Sequence, residues 1–95
     1  MIFYVYILKS KKLNKLYFGF TPNLLERINK HNSGKSLFTS KAKDWQLLYA
    51  EMFINKQDAV NREQTLKQFG GSYRSLKKRL KNTFIDFQGG IKDSQ

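Results

Sequence analysis

Ile2-Phe3-Tyr4-Val5-Tyr6-Ile7-Leu8, followed after a polar gap by Leu16-Tyr17-Phe18-Gly19-Phe20, is the stretch on which the fold turns. The first segment is dense in β-branched and aromatic residues without a polar interruption, which suits a strand covered on both faces. Lys9 to Lys15 is polar and contains Asn14, so the two apolar segments are expected to form an antiparallel hairpin. Gly19 stands inside the second strand. A glycine there weakens pairing and is usually kept for a bulge or for the close approach of another group.

Downstream, Thr21-Pro22 predicts an N-cap and a first helical position, with a helix from Pro22 to about Asn32 that Ser33-Gly34 ends. Leu24, Leu25 and Ile28 form its apolar stripe, and Arg27 and His31 are one turn apart along the edge of that stripe. They are expected at the border between core and solvent. Lys35 to Asp44 reads as a basic loop and Trp45 to Phe53 as a third strand. Asn55 caps a second helix that should reach Phe69 and stop at Gly70-Gly71, with Asp58 well placed in its first turn. Ser72 opens a final helix with Tyr73, Leu76 and Leu80 on one face and Arg74, Lys77, Lys78, Arg79 and Lys81 on the other. The organisation expected is one α+β domain over residues 1–82, then a C-terminal extension over 83–95 in which Phe84 and Phe87 fold back onto the core.

Ninety-five residues suffice for a single core, and a formal net charge of +11 is more than solubility requires of so short a chain. Such a charge suits a polyanion, because each phosphate neutralised releases counterions and adds affinity. Nucleic acid is therefore the expected partner, ahead of an anionic membrane surface. The chain has no Cys, which excludes disulfides and thiolate metal sites. Its longest apolar run, Ile2 to Leu8, has seven residues; a spanning helix needs ~20. That run also lacks the basic start and small-residue cleavage site of a signal peptide, so a cytoplasmic location is expected.

One residue breaks the pattern. Ala59, Val60 and Leu66 define the apolar stripe of the second helix, and Glu63 falls in the middle of it. A carboxylate facing a core is expensive unless it is paired or binds a metal. Three explanations stand: a salt bridge to a nearby Lys or Arg, a wet groove beneath the helix, or a divalent cation of the Mg²⁺ kind, which needs only one or two protein carboxylates.

Taken together, these residues resemble the GIY-YIG endonuclease superfamily from about Phe3 to Phe69. The similarity is greatest to its small stand-alone bacterial members, and it extends to the amino-terminal nuclease domain of the excision-repair endonuclease. It is carried by Tyr4-Val5-Tyr6-Ile7-Leu8, Leu16-Tyr17-Phe18-Gly19-Phe20-Thr21, Leu25-Glu26-Arg27, His31-Asn32-Ser33-Gly34-Lys35 and Ala59-Val60-Asn61-Arg62-Glu63. In the first motif Tyr4 and Val5 replace the glycine and isoleucine while Tyr6 is kept; in the second, Phe18 replaces the isoleucine between Tyr17 and Gly19.

The resemblance implies a three-stranded antiparallel β-sheet flanked by helices, and hydrolysis of phosphodiester bonds in DNA, in repair or processing. It implies Tyr6, Tyr17, Arg27, His31 and Glu63 as catalytic residues, with Glu63 holding one Mg²⁺ or Mn²⁺. A phenol ordinarily keeps its proton up to about pH 10, so a tyrosine base needs a cation nearby. Tyr17 is the first choice for that base, and His31 the alternative. Gly19 would leave the strand bare for a phosphate to approach. Lys35, Lys41, Lys43, Arg74, Lys77, Lys78 and Lys81 would contact flanking phosphates without reading sequence. Specificity is expected from substrate structure or from a protein partner. The rival expectation is a basic nucleic-acid-binding module that keeps the fold and does not cut.

Overall fold

The computed structural model describes residues 1–35 and 39–88. Its elements run β1 (Phe3–Ser10), β2 (Lys15–Thr21), α1 (Leu24–Asn32), β3 (Gln46–Phe53), α2 (Lys56–Lys67), α3 (Gly71–Arg79) and α4 (Lys81–Gln88). The strands form one antiparallel sheet in the order β2-β1-β3. The apolar opening segment is thus the central strand, and Val5, Tyr6, Ile7 and Leu8 are all buried. A polar side chain on either face of this strand would be desolvated, which is why the alternation typical of a half-exposed strand is missing.

The two faces of the sheet are covered differently. Val5, Ile7 and Phe18 pack with Leu48 of β3 and with Ala59, Leu66, Leu76 and Phe84 of α2, α3 and α4. On the other face Tyr6 and Leu8 pack with Ala42 and Trp45, against Tyr17 and against Leu24 and Ile28 of α1. Leu48 reaches the first face through a register shift opposite Ile7 and Leu8, a bulge that lets Leu47 and Leu48 share one step of the ladder.

Helix ends follow local chemistry with small shifts from the expected positions. α1 begins at Leu24, because Asn23 is the residue whose side chain accepts from the Glu26 N–H. Thr21 instead braces the entry, its Oγ1 accepting from the Asn23 N–H at 3.1 Å. Asn55 caps α2 as expected, accepting from the Asp58 N–H at 3.2 Å. α2 ends at Lys67, two residues short of Phe69, and the left-handed position falls on Phe69 (φ 55) and not on the glycines that follow. Phe69 is held there by edge contacts to Phe18 and Tyr73, with ring centroids 5.4 and 4.7 Å away. The basic segment after Ser72 is two helices, α3 and α4, with Leu80 as the C-cap of the first. α4 carries helix across the 82/83 position and buries Phe84 in the core; Gly89 to Gln95 lie outside the described residues.

Candidate active site

The register of β1 and β2 sets Tyr6 opposite Gly19 and Leu8 opposite Tyr17. A Cβ on Gly19 would lie 2.5 Å from the Tyr6 hydroxyl oxygen and 2.6 Å from its Cζ. The bare strand at Gly19 is therefore filled by the Tyr6 ring from the same protein. This corrects the expectation that Gly19 leaves room for a phosphate: Gly19 is buried, and it admits a side chain.

With its ring laid across Gly19, Tyr6 reaches α1. Its hydroxyl is 3.0 Å from His31 Nε2, and His31 Nδ1 is 2.8 Å from Thr39 Oγ1. Tyr6, His31 and Thr39 are all buried, His31 at 1% exposure, so this is an internal relay and not the boundary position expected of His31. His31 can be interior because both ring nitrogens have partners. Tyr17 lies against it, with ring centroids 4.6 Å apart, and Trp45 meets the edge of Tyr17 at 6.5 Å.

Thr39, Asn32 and Trp45 are not among the residues the sequence points to as catalytic, yet they hold this arrangement. Asn32 donates to the Trp45 carbonyl and accepts from the Trp45 N–H, both at 2.8 Å, pinning the start of β3 to the end of α1. The Trp45 indole N–H donates to the Thr39 carbonyl at 3.0 Å, which presents the threonine hydroxyl to His31. Asp44 ties the same loop to the hairpin, accepting from Ser10 Oγ at 2.7 Å and from the Lys12 N–H at 3.0 Å. The local signal for Asn32 is its place beside His31; Thr39 has none.

Burial pushes the Tyr6 phenol up to about 12, with the Arg27 guanidinium opposing that through a hydrogen bond and the Glu63 charge adding to it. Burial lowers His31 from its ordinary 6.5, and the Arg27 charge lowers it further. At neutral pH the pair is a protonated phenol and a neutral imidazole. Arg27 can only donate, so the Tyr6 oxygen is the group that can accept from it, while the Tyr6 proton goes to His31 Nε2 and the proton on His31 Nδ1 to Thr39.

Above the relay the surface is concave and basic. Arg27, Lys30 and Lys35 line two adjoining depressions, of about 400 and 200 Å³; His31 contributes to the smaller, and Thr21, Asn23, Glu26, Asn29 and Ser33 to the larger. Lys30 is an addition to the expected basic residues; it is four residues from Glu26 on the exposed side of α1. Lys41 and Lys43 are exposed on the loop that follows, as their charge requires. Arg74, Lys77, Lys78 and Lys81 lie elsewhere: they line a separate groove on α3 and α4, the helices that cover the opposite face of the sheet.

Glu63 is 8% exposed on α2 between Ala59 and Leu66, as its place on the stripe required. Its Oε2 is 2.7 Å from Lys67 Nζ; Oε1 has no partner among the described residues. The neighbouring carboxylate, Glu51, is fully engaged by contrast. It accepts from Arg62 Nε and Nη2 and from the Tyr49 hydroxyl, and Arg62 and Tyr49 hold it below its ordinary value against the pull of burial. Among the described residues there is no cluster of three or more His, Asp or Glu side chains.

The GIY-YIG catalytic domain profile matches residues 2–79. The chain belongs to the GIY-YIG family. It is 45% identical over 67 residues to a UPF0213 protein of Staphylococcus haemolyticus, covering 70% of this chain and 80% of that protein. It is 39% identical over 79 residues to a UPF0213 protein of Staphylococcus saprophyticus, covering 82% and 89%. Among solved structures it is similar to the UPF0213 protein BH0048 of Bacillus halodurans, at 30% identity and a TM-score of 0.47, covering 96% of this chain and 89% of that one. The α+β fold, with its three-stranded antiparallel sheet, is that of the GIY-YIG domain. No helix among the described residues is long and apolar enough to cross a membrane.

Proposed function

We propose that this GIY-YIG protein is a divalent-metal-dependent endonuclease that hydrolyses phosphodiester bonds in DNA, with a role in DNA repair or processing. The observation that carries the reading is the basic depression around Arg27, set directly over the buried Tyr6–His31–Thr39 relay. Arg27, Lys30 and Lys35 supply the cationic lining that a phosphate needs, and the relay beneath fixes the polar groups that face it.

In this mechanism Arg27 donates charge-assisted hydrogen bonds to the phosphoryl oxygens, where negative charge grows in the transition state. Tyr6 stays protonated, since its phenol is pushed up to about 12, and it orients Arg27 and His31 without taking a proton. Tyr17 is the base: it is half-buried beside His31 and, of the two phenols, the one open to water. His31, neutral and locked between Tyr6 and Thr39, keeps Tyr17 in place through the contact of their rings.

Glu63 is the residue that would hold a Mg²⁺ or Mn²⁺. It is a nearly buried carboxylate with one unpaired oxygen, and its other oxygen meets only an exposed lysine. That fits an ion that takes one protein carboxylate and keeps its waters. Such an ion, when bound, supplies polarisation of the phosphoryl oxygen and stabilisation of the leaving oxygen.

The test is incubation with supercoiled and branched DNA, with and without Mg²⁺ or Mn²⁺. Nicking that requires the metal and disappears in both Arg27→Ala and Glu63→Ala is the expected result. The second reading is a basic module that binds nucleic acid and does not cut; it is favoured by the Glu63–Lys67 ion pair and by the lack of a further acidic ligand among the described residues. Salt-sensitive binding that survives both substitutions, with no cleavage by the wild type under any metal, would establish that reading instead.

A further inference from the structure

We infer that the groove formed by α3 and α4 docks an acidic amphipathic helix of a protein partner. The groove measures about 550 Å³, with Arg74, Lys77, Lys78 and Lys81 around it and Phe84 and Ile85 at its apolar floor. Phe84 is only 9% exposed, with Lys77 Nζ 5.8 Å from the centre of its ring, so the apolar surface the groove offers is chiefly Ile85, 54% exposed. Across Gly71 to Gln88 the only acid is Asp86, against five Lys and Arg, so the charge is one-sided.

Phosphates alone would satisfy the rim and leave the floor unused. A duplex backbone offers charge and sugar to a protein, and covering Ile85 with it gains nothing. An acidic helix with one apolar face satisfies both parts: its large aliphatic side chains pack on Ile85, beside the edge of Phe84 that the groove reaches, and its carboxylates meet the rim. The groove also lies on the helices that cover the sheet face opposite Tyr6 and His31, so it can be filled while the Arg27 depression holds nucleic acid. The inference therefore stands whether or not that depression cuts.

The experiment is fluorescence anisotropy on the full chain with a labelled synthetic helix in which Leu recurs every third or fourth residue among Glu. The control replaces Leu with Ala and keeps charge and helix propensity. The Leu peptide is expected to bind about tenfold more tightly than the control, the gain from burying large aliphatic groups. Ile85→Ser, at an exposed position that leaves folding intact, should weaken the Leu peptide about fivefold and the control not at all. Lys78→Glu should weaken both, and Arg27→Ala neither. Equal binding of the two peptides, or indifference to Ile85→Ser, overturns the inference. So does displacement of the peptide by a DNA duplex whose own binding is lost in Lys78→Glu, since the groove would then be a phosphate surface. Absence of binding by the Leu peptide overturns it as well.

Discussion

The central strand has two faces that use burial for opposite ends. Val5 and Ile7 point to a layer of α2, α3 and α4 and belong to its apolar cluster, with Glu51 and Tyr49 opposite them on β3. Tyr6 points the other way and is just as buried, yet its hydroxyl enters a hydrogen-bonded chain through His31 to Thr39. On the first face burial stabilises directly, through the area removed from water. On the second it holds groups in fixed protonation states beneath a basic depression. The difference teaches that most of the stability and most of the proposed site are separated here by parity along one strand, Glu63 of α2 being the residue of that site that comes from the helical layer.

Substitutions on the two faces should break that separation in opposite ways. Arg27→Ala should lower cleavage by about 100-fold to 1,000-fold, as removal of a donor to the transition-state charge does, while the unfolding midpoint in urea moves little. Ile7→Ala should do the reverse, costing about 2–5 kcal/mol of stability through lost transfer energy and a cavity, with activity retained in the fraction still folded. A stability loss in Arg27→Ala as large as that in Ile7→Ala would erase the distinction.

Gly19 tests how the functional face is packed. Because a Cβ there would meet the Tyr6 hydroxyl at 2.5 Å and the ring at 2.6 Å, and that ring is enclosed, Gly19→Ala should cost about 1–3 kcal/mol and shift Tyr6 off His31. A thermal melt reports the cost, and loss of the Tyr6–His31 hydrogen bond is visible in the imidazole nitrogen shifts. Had Gly19 served only to admit a phosphate, the variant would fold as well as the wild type and lose substrate affinity alone.

Thr39→Val should have a smaller effect, about 1–2 kcal/mol, by leaving His31 Nδ1 without a partner in a buried site. Thr39→Ser should restore both stability and the imidazole tautomer. Equal loss in the two variants would mean that Thr39 acts through its packing and not through its hydroxyl.

The apolar face is the more legible of the two. Val5, Ile7, Phe18, Leu48 and Leu76 announce themselves by composition and period, and Asn55 by the chemistry of caps. Glu63 is legible too, because a carboxylate on an apolar stripe breaks a rule, and it is indeed nearly buried. Arg27 and His31 are readable as neighbours on one helix edge, though not the depth of His31, which depends on Thr39. That partner comes from a loop held by the Asn32–Trp45 contacts, and pairings between distant residues leave no periodicity to read. Gly19 is recognisable as an approach site, but its visitor, Tyr6, is fixed by cross-strand register, which a sequence pattern does not specify. The basic residues of α3 and α4 show in the composition, whereas their side of the sheet does not.

The smallest expected effect is the pH response of the functional face. Burial, and then the Arg27 charge, set His31 below its ordinary 6.5 in the folded chain. Between the folded and ordinary values the unfolded chain therefore binds more of this proton than the folded one does. Stability from this source is complete above the ordinary value and falls as the pH drops through it, with a slope no steeper than one proton allows. His31→Asn keeps a polar side chain in the relay without a titrating group, so its urea midpoint should lose this component of the pH dependence as the pH falls below 6.5. The comparison is the difference between wild type and variant, which cancels carboxylates such as Asp44 and Glu51 that titrate lower and are common to both. An Ile7→Val variant on the apolar face should shift the midpoint by the same amount at every pH. If the wild type and His31→Asn run parallel across that range, the imidazole is not held neutral by its burial, and the relay beneath Arg27 is a different one.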